Sequence, residues 1–428
     1  MSTMKKIPCE KTIDSTLCLL LEGYPFIQNR CCKYESDIFK TRLFGKKAIC
    51  FTGEDAAKIF YNNSYFKRKG AAPKRVQKTL LGQQGVQGLD GKGHQNRKKM
   101  FLSIMTLENL KTLIHYTRFQ WEYNSIRWNN RSIVLFDEAQ ILLCQVACRW
   151  AGVPLEYYEI KHRAFDLGKM IDGFGAAGPR YWQGCLARKR SEEWIRHIII
   201  QIRTGKINPP KNTAAYVIAW HKDQNNKLLS PQIAAVELLN ILRPIVAIAT
   251  YITFGTLAMF KHPECRTRLQ LRDPAYIQMF VQEVRRFYPF TPFVGAIVKN
   301  DFVWNEYCFK KNTLVLLDIY GMNHDSRIWL YPYDFNPERF AYWKDTNYIF
   351  MPQGGGDVQN GHRCAGEMVT IEIMKASLDF IANHLSYKVP VQNLRYRLCR
   401  IPTLPKSRFI ISHVKRKVVD SSSGIQPC

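Results

Sequence analysis

The longest apolar pattern in the sequence lies between Ser230 and Lys261. Ser230 is a typical N-cap, and the proline that follows it suits the first position of a helix. The helical pattern continues until His262-Pro263, which ends it. The predicted helix has about 31 residues and a length of roughly 46 Å. An apolar helix of that length in a globular protein has to cross the centre of a large core.

Alternation of apolar and polar residues is confined to short segments. Residues 42–50 contain a Gly-Lys-Lys turn and predict a β-hairpin. A second hairpin is predicted from residues 302–309 and 313–318. Most of the remaining chain has helical periodicity, and no repeat or linker divides it. The pattern therefore predicts one mainly α domain with small β-sheets over residues 1–428.

Charge is the unusual part of the composition. Lys and Arg total 62 against 35 Asp and Glu, which leaves a formal net charge of +27. Such a surplus attracts anionic partners, including nucleic acid, anionic lipid, acidic proteins and small acids. The basic runs at 67–69, 97–99, 188–190 and 415–417 are not interleaved with aromatic residues as in a nucleic-acid platform. A solvated basic surface is the simpler interpretation, and we expect no nucleic-acid partner.

The cysteines and the apolar runs bear on the cellular compartment. The 13 cysteines are odd in number and include no CxxC pair, which is typical of reduced, mostly inert thiols. Residues 1–10 lack the apolar stretch of a signal peptide. The longest uncharged run, Pro244–Phe260, is shorter than the roughly 20 apolar residues that a spanning helix needs. We expect a cytoplasmic protein without a membrane span.

The C-terminal third contains the clearest chemical motif. A Gly-rich segment, QGGGD at 353–357, precedes GHRCAGE at 361–367. A helical pattern starts at Cys364, so the orphan N–H groups and dipole of a helix N-terminus would favour its thiolate. Flanking glycines would let a flat ligand approach the backbone closely. A buried structural cysteine is the alternative for a lone thiol.

Two further segments change that interpretation. Glu283 and Arg286 lie three residues apart on a predicted helix that stops at Pro289, and FNPERF at 335–340 offers Arg339. The chain order is thus an ExxR helix, a β segment, a PERF segment, a Gly-rich loop and a cysteine at a helix start. Over essentially the whole chain, this order resembles the cytochrome P-450 superfamily.

The resemblance implies a cytochrome P-450 fold with haem b between the long central helix and the cysteine loop. It makes Cys364 the axial thiolate ligand of the haem iron. It also makes Glu283, Arg286 and Arg339 the triad that locks the loop beneath the haem. One departure is that Asp357 stands where the superfamily usually has Phe, with Asn360 likewise replacing a usual Gly, so the loop is of an unusual, longer type.

The same resemblance indicates which residues hold the edge of the haem. His94 and Lys98, in GHQNRK at 93–98, match the positions that bind the haem propionates. Arg68 is a weaker candidate for the same role. A solvated helix face is the alternative for His94 and Lys98.

The middle of the long helix departs further from the superfamily. The acid–alcohol pair that delivers protons in redox-partner-fed members is replaced by an acid-free stretch, NILRPIVAI at 240–248. Pro244 removes an N–H and clashes with the carbonyl of Asn240, at about 3 kcal/mol or more in a regular helix. A buried Arg243 without a local carboxylate is also costly. Adjacent costs of this kind indicate a site, and an arginine paired with a distant acid is the alternative.

Arg243-Pro244 over a haem resembles one branch of the superfamily, the hydrogen-peroxide-dependent fatty-acid peroxygenases. The branch match extends to QGGGD, GHRC, FYPF at 287–290, QGLDG at 87–91 and CRWAGV at 148–153. It implies hydrogen peroxide and a long-chain fatty acid as substrates, with no obligatory redox partner. Pairing with Arg243 would make the substrate carboxylate the acid–base group that the helix lacks. Expected site residues are Arg243, Pro244 and Gln87 for catalysis, with Leu81 and Phe290 lining the substrate channel.

Anchoring the carboxylate places oxidation at Cα and Cβ. Members with Gln at the position of Gln87 mainly hydroxylate Cβ, whereas members with His there often decarboxylate the acid to an alkene. We therefore expect mainly β-hydroxy acid, a lesser α-hydroxy fraction and little alkene. Leu81 is a departure, since relatives often have Phe there, and Leu81 or the channel shape is the alternative determinant of the product.

Two rival functions remain open. One is a cytochrome P-450 monooxygenase fed by a ferredoxin or flavodoxin, for which the basic surface would be a docking face. The other is a non-enzymatic haem or nucleic-acid-binding protein, suggested by the net charge alone. Turnover with peroxide alone would count against the monooxygenase, and a strongly salt-dependent gel shift would support the nucleic-acid-binding protein.

Overall fold

Helices make up most of the computed structural model, which describes residues 4–344 and 346–417. This agrees with the predicted fold class, mainly α with small sheets. Short π or 3-10 turns lie at Gln77–Leu81, Val86–Gly88, Tyr157–Glu159 and Pro337–Phe340. The α-helices are α1 (Thr16–Glu22), α2 (Phe26–Tyr34), α3 (Glu54–Phe60), α4 (Lys74–Val76), α5 (Gly91–Ile104), α6 (Leu107–Arg127), α7 (Leu135–Ala151), α8 (Ile160–Asp172), α9 (Pro179–Arg203), α10 (Ala214–Ala219), α11 (Pro231–Ala247), α12 (Ala249–Lys261), α13 (Pro263–Gln270), α14 (Pro274–Phe287), α15 (Tyr320–Asn323) and α16 (Glu367–Asn383).

The strands form three small sheets within the described residues. One sheet has the order β1-β2-β8-β5-β3, another β4-β10-β9, and the third is the pair β6-β7. The strands are β1 (Ile38–Leu43), β2 (Lys46–Phe51), β3 (Phe66–Lys67), β4 (Ile133–Val134), β5 (Phe293–Val298), β6 (Phe302–Trp304), β7 (Tyr307–Phe309), β8 (Leu314–Asp318), β9 (Leu385–Lys388) and β10 (Ile410–Arg416).

The two predicted hairpins have different outcomes. The first is confirmed, because β1 and β2 pair antiparallel around Phe44 and Gly45, which both have positive φ as this tight turn requires. The second is wrong in its connection. Its turn lies at Asn305 and Glu306, also at positive φ, inside the segment expected to be one strand. β8 instead pairs parallel to β2 and antiparallel to β5.

The predicted long helix is present with one interruption. Ser230 Oγ accepts a hydrogen bond from the N–H of Ile233 at 3.2 Å and caps α11. One turn beyond Pro244, the N–H of Ile248 bonds to the carbonyl of Ile245 at 3.1 Å, a three-residue bond that separates α11 from α12. Pro231–Lys261 is long and apolar enough to cross a membrane by length and composition, but 83% of its most apolar window is buried inside the protein. It is therefore the core helix that the pattern predicts.

The packing of this helix positions the functional site. α11 packs against α7, α8 and α9, whereas α12 packs against α7, α13, α14 and α16. Leu238, Leu239 and Leu242 on α11 are completely buried, and each contributes about 1.5–3 kcal/mol of hydrophobic stabilisation. The segment before α16 is thereby held opposite the middle of the long helix.

Asp318, at the end of β8, gives a pH-dependent stability that can be measured. Its Oδ1 accepts the N–H of Gly321 at 2.8 Å, but its Oδ2 is buried without a partner. Burial raises the pKa of Asp318 to about 7. Folding therefore favours the protonated acid, and the free energy of unfolding falls as pH rises from about 4 to about 7.

Asp318→Asn is expected to remove this pH dependence. Between pH 5 and pH 8, the free energy of unfolding of the variant should therefore rise by about 2–3 kcal/mol relative to that of wild type. Thermal unfolding midpoints of both proteins at the two pH values check it. Asp166→Asn is the matched control, because it neutralises a buried carboxylate that pairs with the partly exposed Arg190 and should destabilise at both pH values. An equal difference between wild type and Asp318→Asn at both pH values would contradict the prediction.

Candidate functional site

A cavity lies between α11 and the segment that leads into α16. It contains about 910 Å³ of space not filled by atoms, including space open to solvent. Its lining on the α11 side is apolar except for the amide of Asn240; the opposite side carries a thiol and an amide, and one edge is cationic. The lining residues are Val86, Gln87, His94, Lys98, Phe101, Met105, Trp150, Asn240, Ile241, Pro244, Ile245, Ile248, Gln353, His362, Arg363, Cys364, Ala365, Gly366, Val369 and Thr370.

Cys364 projects into this cavity from the Gly-rich loop. Its N–H bonds to the carbonyl of Gln353 at 3.1 Å, and α16 begins three residues later, at Glu367, instead of at Cys364 as predicted. The residue is solvent-accessible although protein surrounds it, because its accessible surface is part of the cavity wall. Burial raises the pKa of the Cys364 thiol, while the N–H of Gly366 and the charges of Lys98 and Arg243 act in the opposite direction.

Two groups of charged residues hold the Gly-rich loop that carries Cys364. The Glu283 carboxylate accepts hydrogen bonds from Arg286 at 2.7 Å and from Arg339 at 3.2 Å. The three residues expected to form the triad are therefore in direct contact. Closer to the cysteine, Glu367 pairs with Arg285, and its other oxygen accepts Arg363 Nε at 2.8 Å. These contacts join α14, α16 and the loop into one rigid support.

The predicted edge residues lie together on α5 and beside it. His94 and Lys98 are buried, and the Lys98 ammonium donates to the carbonyl of Arg363. The His94 ring lies 3.9 Å, centroid to centroid, from the ring of His362, and burial lowers the pKa of His94 to about 4. Arg68 is buried too, but it donates to the carbonyl of Gly295 at 3.2 Å and lies outside the lining.

Arg243 is a buried cation without an ion-pair partner in the described part of the chain. It is 7% exposed, its Nη2 donates to Asn240 Oδ1 at 3.4 Å, and its Nε has no partner. Burial lowers the pKa of Arg243 to about 9; Arg188 lowers it further, whereas Cys364 raises it. A guanidinium in this position favours an anionic ligand, because an uncompensated buried charge is costly.

Only some of the other predicted site residues line the cavity. Gln87 and Pro244 line the cavity, and Gln87 Oε1 accepts Asn240 Nδ2 at 3.3 Å. Arg243, Leu81 and Phe290 are not in the lining. Leu81 ends the π turn Gln77–Leu81, and Phe290 stacks on Tyr251 at 5.1 Å.

Sequence reasoning missed two features of the site. His362, inside the GHRC segment, lies against His94 with the two ring planes tilted by 30°. Glu237 is completely buried on α11 and pairs with Arg97. The signal for the second feature was present as a lone acid within the apolar helical pattern, but its partner lies on another helix.

A haem requires an axial ligand for its iron, an apolar pocket for its flat ring and donors for its carboxylates. One wall offers a soft thiol, the opposite wall is apolar, and His94 and Lys98 place donors at one edge where carboxylates would lie. These residues fit a flat, apolar, dianionic group with an iron centre, which defines the class as a haem-thiolate protein.

Comparison with known proteins agrees with this class. The cytochrome P450 family model matches residues 261–408. The structure of cytochrome P450EX alpha (CYP152N1) with myristic acid is 43% identical, with a TM-score of 0.93 over 96% of this chain and 100% of that chain. The chain belongs to the cytochrome P450 family. It is an oxidoreductase whose cofactor is haem held by a cysteine thiolate.

Two further structures are similar over nearly the full length. Cytochrome P450SP alpha (CYP152B1) in complex with (R)-ibuprophen is 45% identical, with a TM-score of 0.92 over 94% of this chain and 99% of that chain. A variant of cytochrome P450 OleT with arachidonic acid is 36% identical, with a TM-score of 0.94 over 97% of this chain and 100% of that chain. The family and the peroxygenase branch expected from the motifs are confirmed.

Curated relatives match over shorter segments. Cytochrome P450 3A14 of Cavia porcellus is 26% identical and cytochrome P450 3A5 of Homo sapiens 25% identical, each over 185 residues. These segments cover 38% and 39% of this chain. The chain thus aligns with about 36% of the length of each of these relatives.

Proposed function

We propose that the protein is a peroxygenase that uses hydrogen peroxide to hydroxylate long-chain fatty acids at the carbons next to the carboxylate. The observation that carries the proposal is Arg243, a buried guanidinium without a carboxylate partner among the described residues. The fatty-acid complexes of CYP152N1 and of the OleT variant support the same substrate class. The whole of residues 1–428 is proposed to act as one cytoplasmic catalytic domain without a membrane span.

Each residue has a distinct part in this proposal. Cys364 would hold the haem iron, and His94, Lys98 and Arg68 would hold the propionates. When bound, the haem supplies the iron at which peroxide oxygen is activated. Arg243 binds the substrate carboxylate in a planar, bidentate pair.

The bound carboxylate supplies the acid–base chemistry that the helix itself lacks. The lining residues of α11 are Asn240, Ile241, Pro244 and Ile245, and none of them carries a titratable group. The fatty-acid carboxylate beside Arg243 accepts a proton of hydrogen peroxide and later returns it. Anchoring at Arg243 also orients Cα and Cβ for oxidation.

The deciding experiment is turnover of myristic acid by the haem-bound protein with hydrogen peroxide as the only oxidant. Products are identified by mass spectrometry. Hydroxy acid formed without ferredoxin, flavodoxin or reductase supports the peroxygenase. Turnover only with an electron-transfer partner would instead support the monooxygenase, for which the net charge of +27 would provide a docking face.

The identity of residue 87 is expected to set the balance of products. Gln87 borders the cavity and cannot change charge, whereas histidine titrates near neutral pH and can relay a proton. Wild type should give mainly β-hydroxy acid with less α-hydroxy acid and little alkene, and Gln87→His should raise the alkene share. Product ratios by mass spectrometry check this. Leu81→Phe is the control, and if it moves the ratio while Gln87→His does not, the role belongs to Leu81.

A further inference from the structure

Three buried arginines differ in whether a carboxylate pairs with them. Arg97, Arg188 and Arg243 are 7%, 3% and 7% exposed. Arg97 forms an ion pair with Glu237, and Arg188 forms one with Glu192. Within residues 4–344 and 346–417, Arg243 forms none. The carboxylates present therefore compensate two of these three guanidinium groups.

Glu237 is the carboxylate that connects two of these arginines. It lies on α11, six residues before Arg243, and is completely buried. One oxygen of its carboxylate accepts a hydrogen bond from Arg97, and the other accepts one from Asn240 Nδ2 at 3.0 Å. The same amide nitrogen donates to Gln87 Oε1 at 3.3 Å. Both contacts of that nitrogen are with acceptors.

This arrangement fixes the orientation of the Asn240 amide. With Nδ2 directed to Glu237 and Gln87, the opposite atom, Oδ1, accepts Arg243 Nη2 at 3.4 Å. If the Asn240 amide were flipped by 180°, its NH₂ group would face the Arg243 guanidinium. Two hydrogen-bond donors would then face each other without an acceptor between them. A carboxylate at Glu237 accepts only, so it selects one orientation.

Loss of that negative charge would have a second effect. Arg97 would become another buried guanidinium without a counter-charge, on the helix whose neighbouring residue Lys98 lines the cavity. A carboxylate entering the cavity would then have two cations to choose between. Binding to the wrong one moves the chain of the acid while keeping much of the electrostatic attraction.

We propose that Glu237 is a positioning residue: by pairing with Arg97 and orienting Asn240, it reserves Arg243 for the substrate carboxylate and thereby fixes which carbon is oxidised. This inference rests on the proposed fatty-acid peroxygenase function. It predicts a variant that still binds the acid but places it incorrectly. Displacement of a substrate by about 1 Å can cost on the order of 100-fold in rate.

The test uses the haem-bound enzyme with peroxide and myristic acid. Glu237→Gln is expected to lower kcat by about 10- to 100-fold, to change KM by less than about 5-fold, and to shift the α:β product ratio. Calorimetric titration with myristate should give an affinity within about 5-fold of wild type, because Arg243 is intact. Unchanged kcat and product ratio would overturn the proposal.

A charge-restoring variant separates positioning from a merely structural role. Arg97→Gln combined with Glu237→Gln removes the surplus cation, and without that guanidinium the amide oxygen at position 237 can still accept a hydrogen bond from Asn240 Nδ2. Most of kcat and the wild-type product ratio should therefore return. A double variant no better than Glu237→Gln would overturn the proposal. If Glu237→Gln does not fold, the product ratio of the double variant decides, and a displaced ratio counts against it.

The remaining arms separate this inference from the proposed function. Asp166→Asn neutralises another buried carboxylate that pairs with an arginine, and it should leave the product ratio unchanged. A changed ratio there would assign the effect to any loss of buried charge and overturn the proposal. If wild type itself does not turn over with peroxide, the proposed function fails. If wild type turns over but Glu237→Gln matches it, the Glu237 inference alone fails.

Discussion

Replacement of Arg243 by leucine is expected to abolish peroxide-driven oxidation of a long-chain fatty acid while the protein still binds haem. Leucine keeps the apolar environment of α11 but removes the partner of the substrate carboxylate. Loss of one member of a buried charged pair costs about 3–5 kcal/mol, which corresponds to about 150- to 5,000-fold in affinity or rate. Initial rates with myristic acid and peroxide, and calorimetric binding of myristate, check the prediction.

Two controls make this result specific. Arg243→Lys keeps the charge but loses the planar fork, so its activity should lie between wild type and Arg243→Leu. The methyl ester of the fatty acid should be a poor substrate of the wild type, since it offers neither charge nor a proton acceptor of comparable strength. Near-normal turnover of the acid by Arg243→Leu would remove Arg243 from the mechanism.

Cys364→Ala is expected to eliminate the thiolate ligand and with it both activity and the spectrum of a haem-thiolate protein. The wild-type reduced carbon-monoxide complex should have the strongly red-shifted Soret band that thiolate ligation gives, and the variant should lack it. Loss of the thiolate also removes the electron donation that assists O–O cleavage. Absorption spectra and peroxide turnover measure the two effects.

The matched control is another cysteine that does not border the cavity. Cys308, on β7, is half-buried and lies outside the lining, so Cys308→Ala should retain the band and the activity. An unchanged spectrum in Cys364→Ala would contradict the assignment of the ligand, whatever the turnover.

Local patterns allowed much of this structure to be predicted. The long helix followed from an apolar run between a cap and a proline, and Arg339 was placed by its motif although Glu283 lies 56 residues away. His94, Lys98, Gln87 and Cys364 were expected to share a site and do line one cavity.

The features that were missed depend on tertiary contacts. Arg97 and Glu237 are 140 residues apart, and neither has a local pattern that indicates its partner. The second hairpin was misplaced because Asn305 and Glu306 adopt positive φ within an apparently continuous strand pattern. The start of α16 was placed at Cys364 because periodicity continues into the loop, whereas the backbone becomes helical only at Glu367.

The interruption at Ile248 has a mechanical consequence. Arg243 lies in α11, which packs against α8 and α9, whereas α12 packs against α14 and α16, the helices that flank the cysteine loop; α7 packs against both halves. A continuous rod would transmit every rotation of its first half to its second, but a break in the hydrogen-bond ladder acts as a joint that absorbs bending. We therefore expect bending at Ile248 to let the layer of α8 and α9 shift with less displacement of the cysteine loop than a continuous helix would allow, while α7 limits the shift because it contacts both halves.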